Sequence, residues 1–434
     1  MPTYRAEREA IAKKSPDFGG EFTLGDRSEH GYPSDVSYAG APQHPRPPVP
    51  GLPKRVRKVG APIAVLIVLG TVTGLIVILL TAVYPVGTSI GFVLSSVTMT
   101  IVVLAYLWLD RWEPEPPRLL VLAFLWGTSV AIVISTILQL TLEAAINPGA
   151  TETVSPFSIV LGAPLTEEAA KGLFLLLMMT GRRRNELNSM TDCLIYAGLV
   201  GAGFAWLEDI LYIGGGESVS DSLATAALRL IMAPFAHSLF TTMFGIGVYF
   251  ALQQRNTAFK AGYILLGYLG AVIMHGLWNG SSLLSVEAYF LTYLFWMVPI
   301  FALVIVLGVQ SRRREQRVVA AKLPGMVAAG LVTPNEATWL ASIRNRKAAI
   351  GAATRFGGRP AGKAVKDFAA QVVELAFVRD RIDHGFGDER VFALQQEEAY
   401  AVYAARAAAP ALQSLAGYRG TSGPPNPSYG QTPR

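Results

Sequence analysis

Four apolar stretches in the middle of this chain carry side chains that hydrocarbon excludes: Glu167 with Glu168, then Glu208, then His237, then His275. A charge at bilayer depth is expensive unless paired, hydrated or coordinated, so such residues mark a site. Carboxylates and imidazoles at one depth suit a divalent metal, with a further carboxylate as general base for hydrolysis. Glu167 and Lys171 stand one helical turn apart, so they can also form a self-neutralising pair. Glu168 has no such partner by spacing. Adjacent helical residues point about 100° apart, so the two carboxylates are expected to do different jobs. Asp209 beside Glu208 suits the outer interface as well as a site. His237 has Thr241 one turn below it, and Pro234 just before it can open the helix. His275 has Asn279 on its own face. These are two of only five histidines. Arg229 is expected to snorkel to interfacial water, and Glu143 and Glu287, at span ends, to be solvated.

The elements that must position these groups are membrane helices. The 434 residues are 51% hydrophobic and only 16% charged, with mean hydropathy +0.38, too apolar for an ordinary soluble domain. Stretches of about 20 apolar residues fall at Ala61–Val83, Ser89–Leu109, Leu119–Leu142, Val160–Thr180, Met190–Ile213, Ala227–Leu252, Lys260–Leu283 and Ala288–Val309, which predicts an all-α polytopic bundle of about eight transmembrane helices. Lys and Arg concentrate in cytoplasmic loops. Lys54 to Lys58, Arg111, Arg118, Arg182 to Arg184, Arg255, Lys260 and Arg312 to Arg314 all fall on one side, so both termini are expected in the cytoplasm. The loops of the other side, 84–88, 143–158, 214–222 and 284–287, hold no Lys or Arg. Threaded this way, the acids and histidines share the outer third of the bilayer. The net charge of +6 then meets anionic lipid and calls for no nucleic acid.

Residues 1–59 mix charge with Pro and Gly and are expected to be a disordered cytoplasmic arm, ahead of a membrane domain over 60–310. Residues 311–416 are rich in Ala, Arg, Glu and Leu, and Thr333-Pro334-Asn335-Glu336 has the form of a capping box with Pro at the first helical position. A cytoplasmic α-helical C-terminal region follows from that, with a disordered tail over 417–434. No signal peptide precedes the first apolar run. Small residues at spacing four, Ala197, Gly201 and Ala205, place the fifth span inside the bundle. Cys193, the only cysteine, excludes a disulfide within the chain and reads as a small buried hydrophobe. Gly87-Thr88-Ser89-Ile90-Gly91 fits the nucleophile-elbow pattern in letters only, without a strand before it.

Glu167-Glu168-x-x-Lys171, Phe204-x-x-x-Glu208, His237-x-x-x-Thr241 and His275-x-x-x-Asn279, in this order on four successive spans, resemble the PrsW family of intramembrane metalloproteases, which is similar to CAAX prenyl endopeptidases. The resemblance covers roughly residues 60–310. It implies Glu167 and Glu168 as the catalytic pair, Glu208, His237 and His275 as metal-binding or water-activating groups, and Asn279 as an oxyanion donor. Asp209 stands where relatives suggest an amide. The resemblance further implies a divalent metal, with Zn2+ expected, in a bacterial plasma membrane. Its substrate would be a membrane-tethered protein such as an anti-sigma factor, cut near the extracytoplasmic surface. Spacing leaves open which carboxylate is ligand and which is base. The competing class is an ion-coupled transporter with the same acids and histidines as a proton relay.

Overall fold

The structure is a computed structural model and describes residues 60–112, 114–148 and 154–420. The arm expected over 1–59 and the tail from 421 lie outside the described residues. Helices α1 (Ile63–Val83), α2 (Pro85–Leu109), α3 (Pro117–Ile146), α4 (Ala163–Met178), α5 (Met190–Gly214), α6 (Val219–Ala226), α7 (Ala236–Leu252), α8 (Thr257–Leu284) and α9 (Val286–Ala328) make the membrane bundle. No strand occurs among the described residues. Among them, seven helical runs are long and apolar enough to cross a membrane. The segment expected as the fourth span, Val160–Thr180, is not one of these. It is α4, entered through a π-helical turn at Ser158–Gly162, and it carries Glu167, Glu168 and Lys171.

Central to the bundle is α5. Its apolar window is 83% buried, against 6% for α1, so α5 faces protein where α1 faces lipid. Ser189 and Asp192 start it with a reciprocal capping box, which satisfies two main-chain N–H groups that a buried helix end would otherwise leave bare. Its small residues let neighbours approach to backbone contact. A Cβ on Gly201 would lie 2.5 Å from the His237 carbonyl oxygen, and one on Gly203 would collide with the Phe124 carbonyl. The elbow-like glycines serve the same end: Gly87 lies inside α2, where a Cβ would come within 2.6 Å of the Gly214 carbonyl. Cys193 is buried and unpaired, as its sequence context implies.

Three helix boundaries differ from the sequence reading. The turn expected at 84–88 shrinks to Tyr84, because Pro85 can open α2 at its first turn, where no N–H is needed. The sixth span is interrupted at 233–235, with helix on both sides. The last span does not stop near residue 310. Its continuation holds Arg, Gln, Ala and Leu, all good helix formers, so α9 runs on to Ala328.

Beyond it stand α10 (Pro334–Leu340), α11 (Ile343–Arg381), α12 (Glu389–Ala407) and α13 (Ala411–Ser414). The Thr333/Glu336 capping box is formed as the sequence indicates, with Pro334 at N1. α11 breaks at Gly357-Gly358, where Gly358 takes φ +74°, a conformation that disfavours any residue with a Cβ. These helices enclose a core of their own around Trp339, Phe368, Met326 and Val319. Trp112, from the α2–α3 connection, belongs to that core and carries the Arg346 guanidinium 4.3 Å above its ring. At the end of the described residues, Gly420 N–H donates to Thr338 Oγ1 at 2.9 Å.

Candidate functional site

Each element presents its group for a local reason. Pro164 lacks an N–H, so the Ile159 carbonyl in the preceding π turn loses the donor that i→i+5 pairing would supply. Asn279 Nδ2 donates to that carbonyl at 3.0 Å, tying α8 to the entrance of α4. One of the two N–H donors of this amide is thereby engaged with the main chain. Two turns into the helix, Glu167, Glu168 and Lys171 face the bundle interior. At 233–235 the chain leaves helical form around Pro234, and His237 becomes the second residue of the new helix α7. Close packing at Gly201 seats the His237 carbonyl against α5.

Glu167, Glu168, His237 and His275 converge, each offering one donor atom, with all four atoms within 4.8 Å of one another. All four residues are buried. The two imidazoles stand perpendicular with centroids 5.0 Å apart, and the Phe240 ring stacks on His275 at 4.7 Å. Lys171 Nζ, fully buried, lies 3.1 Å from Glu167 Oε2, 2.9 Å from Glu168 Oε1 and 2.9 Å from His237 Nδ1, with the Phe204 ring centroid 3.8 Å away. Glu168 thus has the lysine partner that its spacing seemed to deny it. Lysine at i+3 reaches one carboxylate and at i+4 the other.

The carboxylates do differ, as their angular separation implies. Glu168 is wholly buried and saturated: Oε1 accepts from Lys171 and, at 3.1 Å, from His275 Nδ1, while Oε2 lies 3.1 Å from the Thr241 hydroxyl. Thr241 so serves Glu168 directly, besides lying 3.0 Å from the His237 carbonyl. Glu167 is 5% exposed and has Gln139 Nε2 at 3.1 Å on its free oxygen. Gln139, on α3, is a partner the sequence reading missed. A lone amide amid Ile, Leu and Thr was the available signal.

Glu208 is not among the four convergent groups. Its Oε2 lies 2.6 Å from His237 Nε2, on the far side of the ring from Lys171. An ammonium can only donate, so His237 Nδ1 accepts from Lys171 and its Nε2–H donates to Glu208. Glu208 in turn pairs with Arg229, whose Nε also binds Asp209 Oδ1 at 2.6 Å. Arg229 therefore does not snorkel. It comes from the π turn Ala227–Met232 and closes on two acids of α5, leaving Asp209 4% exposed and turned inward. Glu143 is likewise organised rather than free: it accepts from Ser155 N–H at 3.1 Å, from the Ser155 hydroxyl at 2.9 Å and from Ser158, tying the end of α3 to the residues that enter α4.

Two imidazoles and two carboxylates, buried and convergent, are a donor set that fits a divalent metal of the zinc type. The contact between Glu208 and the other ring nitrogen of His237 is the carboxylate–histidine arrangement that fixes a ligand's tautomer.

The family model for the PrsW family intramembrane metalloproteases matches residues 115–304, a stretch that contains every residue of this cluster. Protease PrsW of Oceanobacillus iheyensis is 24% identical over 213 residues, covering 48% of this chain and 93% of the relative. Protease PrsW of Geobacillus kaustophilus is 26% identical over 187 residues, 43% of this chain and 76% of the relative. That of Clostridioides difficile is 25% identical over 170 residues, 39% and 69% respectively. No solved structure matches the chain.

Proposed function

We propose that this chain, which the PrsW family model matches through residues 115–304, is an intramembrane metalloprotease that hydrolyses a peptide bond of a membrane-tethered protein near the extracytoplasmic surface at Glu167, Glu168, His237 and His275. The observation that carries this reading is the convergence of those four buried groups from three helices. The family match favours a peptidase over the ion-coupled carrier. Glu168, His237 and His275 would hold the metal beside Glu167, and the metal when bound would lower the pKa of a water molecule in its open position and polarise the scissile carbonyl. Glu167 is the more exposed carboxylate, with an oxygen held only by the Gln139 amide. In this reading it takes the proton of the attacking water and returns it to the leaving amine. Glu168 stays ionised under its donors and anchors His275. Glu208 holds the Nε2 proton of His237, so that Nδ1 keeps its lone pair toward the site.

Activity is expected from purified protein in nanodiscs on a fluorogenic peptide fused to a single membrane anchor. It should be lost on dialysis against 1,10-phenanthroline and return with zinc. Undiminished cleavage by protein stripped of bound metal would sink the metal-dependent reading. An anti-sigma factor is the substrate this reading favours, and loss of its processing in a deletion strain is the check.

The orientation follows from the one-sided Lys and Arg clusters. With both termini in the cytoplasm, reporter fusions at Gly215 and Glu315 read opposite sides of the membrane. The same reading from both would remove the argument for an extracytoplasmic cut.

A further inference from the structure

The cage already holds a cation of its own. Lys171 Nζ has three N–H bonds and spends them on Glu167, Glu168 and His237, while the Phe204 π face closes the remaining side. Three of the four convergent groups therefore point their electron pairs at one ammonium. Resting on the metalloprotease reading above, we infer that Lys171 is the resident cation of the unloaded site and that a divalent metal binds by displacing its ammonium.

Three features carry this. First, the contact at His237 is exclusive, since Nδ1 has one lone pair and cannot accept from Nζ and bind a metal together. Second, the size of the cage suits the ammonium. Glu167, Glu168 and His237 stand 2.9 to 3.1 Å from Nζ, whereas zinc draws its ligands in to about 2.0–2.2 Å. Third, the charges are balanced by one occupant at a time. Arg229 is shared by Glu208 and Asp209 outside the cage, and the cage itself holds two carboxylates and two imidazoles. With Lys171 alone it keeps one net negative charge. A divalent ion alone makes the cage neutral, so the ammonium loses its electrostatic hold there once the metal is bound. Lysine on the same helix as both acids also explains how carboxylates and imidazoles from α4, α7 and α8 stay gathered before metal arrives.

The test is zinc affinity of the full-length protein in nanodiscs, measured by competition with a chromophoric chelator. Lys171→Met and Lys171→Gln are expected to bind zinc at least about tenfold more tightly than the wild type, because a competing charge is gone. Lys171→Arg keeps the charge and should stay within about threefold. The metal-free Lys171→Met protein should also unfold at a lower temperature, with zinc raising its Tm more than that of the wild type. Lys171→Gln keeps N–H donors for the carboxylates and serves if Lys171→Met misfolds by circular dichroism. Equal or weaker zinc binding by both neutral variants overturns the displacement while leaving the metalloprotease reading intact. If neither wild type nor variants bind zinc, cobalt or manganese, and the wild type still cleaves, the metal reading itself fails and this inference with it.

Discussion

Glu167→Gln is expected to cleave a tethered substrate at least about a hundredfold more slowly than the wild type, the usual loss when a general base is removed, with its helical content unchanged and its Tm lowered less than in Glu168→Gln. The expectation rests on the difference between the two neighbouring acids. An amide in place of Glu167 keeps the volume and can still pair with Gln139, and the position has residual exposure to relax into. Glu168→Gln should behave differently. That carboxylate accepts from Lys171, His275 and Thr241 at zero exposure, so removing its charge leaves a buried ammonium short of a partner. Breaking one member of a buried pair costs about 3–5 kcal/mol, so this variant loses stability as well as activity. The two are separated by measuring Tm and cleavage on the same nanodisc preparations. A Glu167→Gln protein that cleaves normally would remove Glu167 from the base role, and a Glu168→Gln protein as stable as the wild type would remove Glu168 from the anchor role.

How far the sequence reached into this site depended on what kind of interaction was being read. Helices stand out because apolar length is a one-dimensional property, and α1, α2, α5 and α8 lie where hydropathy puts them. The Thr333/Glu336 capping box is as local, and it is formed. The acids and histidines are identifiable because hydrocarbon makes any intramembrane ionisable group conspicuous, and four of the five, Glu167, Glu168, His237 and His275, converge. Pairwise geometry between helices did not follow. Spacing along α4 predicted the Glu167–Lys171 contact but could not show that Lys171 also reaches His237, 66 positions away. Arg229 looked like an interfacial anchor because snorkelling is judged by distance to the membrane surface. Its two acidic partners sit on α5, across the bundle. Asn279 shared a face with His275 as expected, yet its amide answered a need no motif advertises, the orphaned carbonyl ahead of Pro164.

Glu208 is the group whose assignment changes most, and its role makes the second large effect. Were it a metal ligand, Glu208→Ala would abolish stoichiometric zinc binding. In the arrangement seen here it holds His237 Nε2 at 2.6 Å from outside the cage, so the expected result is retained stoichiometry with affinity lower by about ten- to a hundredfold, the range for carboxylates that orient a ligating histidine. Glu208→Gln separates orientation from charge. An amide oxygen can still accept the Nε2 proton, so this variant should recover most of the zinc affinity if orientation dominates. Arg229→Met probes the same link from behind: without the guanidinium, buried Asp209 loses its cation and Glu208 keeps only His237, and both affinity and Tm should fall. Asp209→Asn touches Arg229 alone and is expected to change zinc affinity by less than about threefold. Because His237 acts on water rather than on the substrate's distant residues, the Glu208 variants should lose kcat with little change in KM. Loss of the bound metal altogether in Glu208→Gln would instead return Glu208 to the set of ligands and place His237 Nε2, not Nδ1, toward the ion.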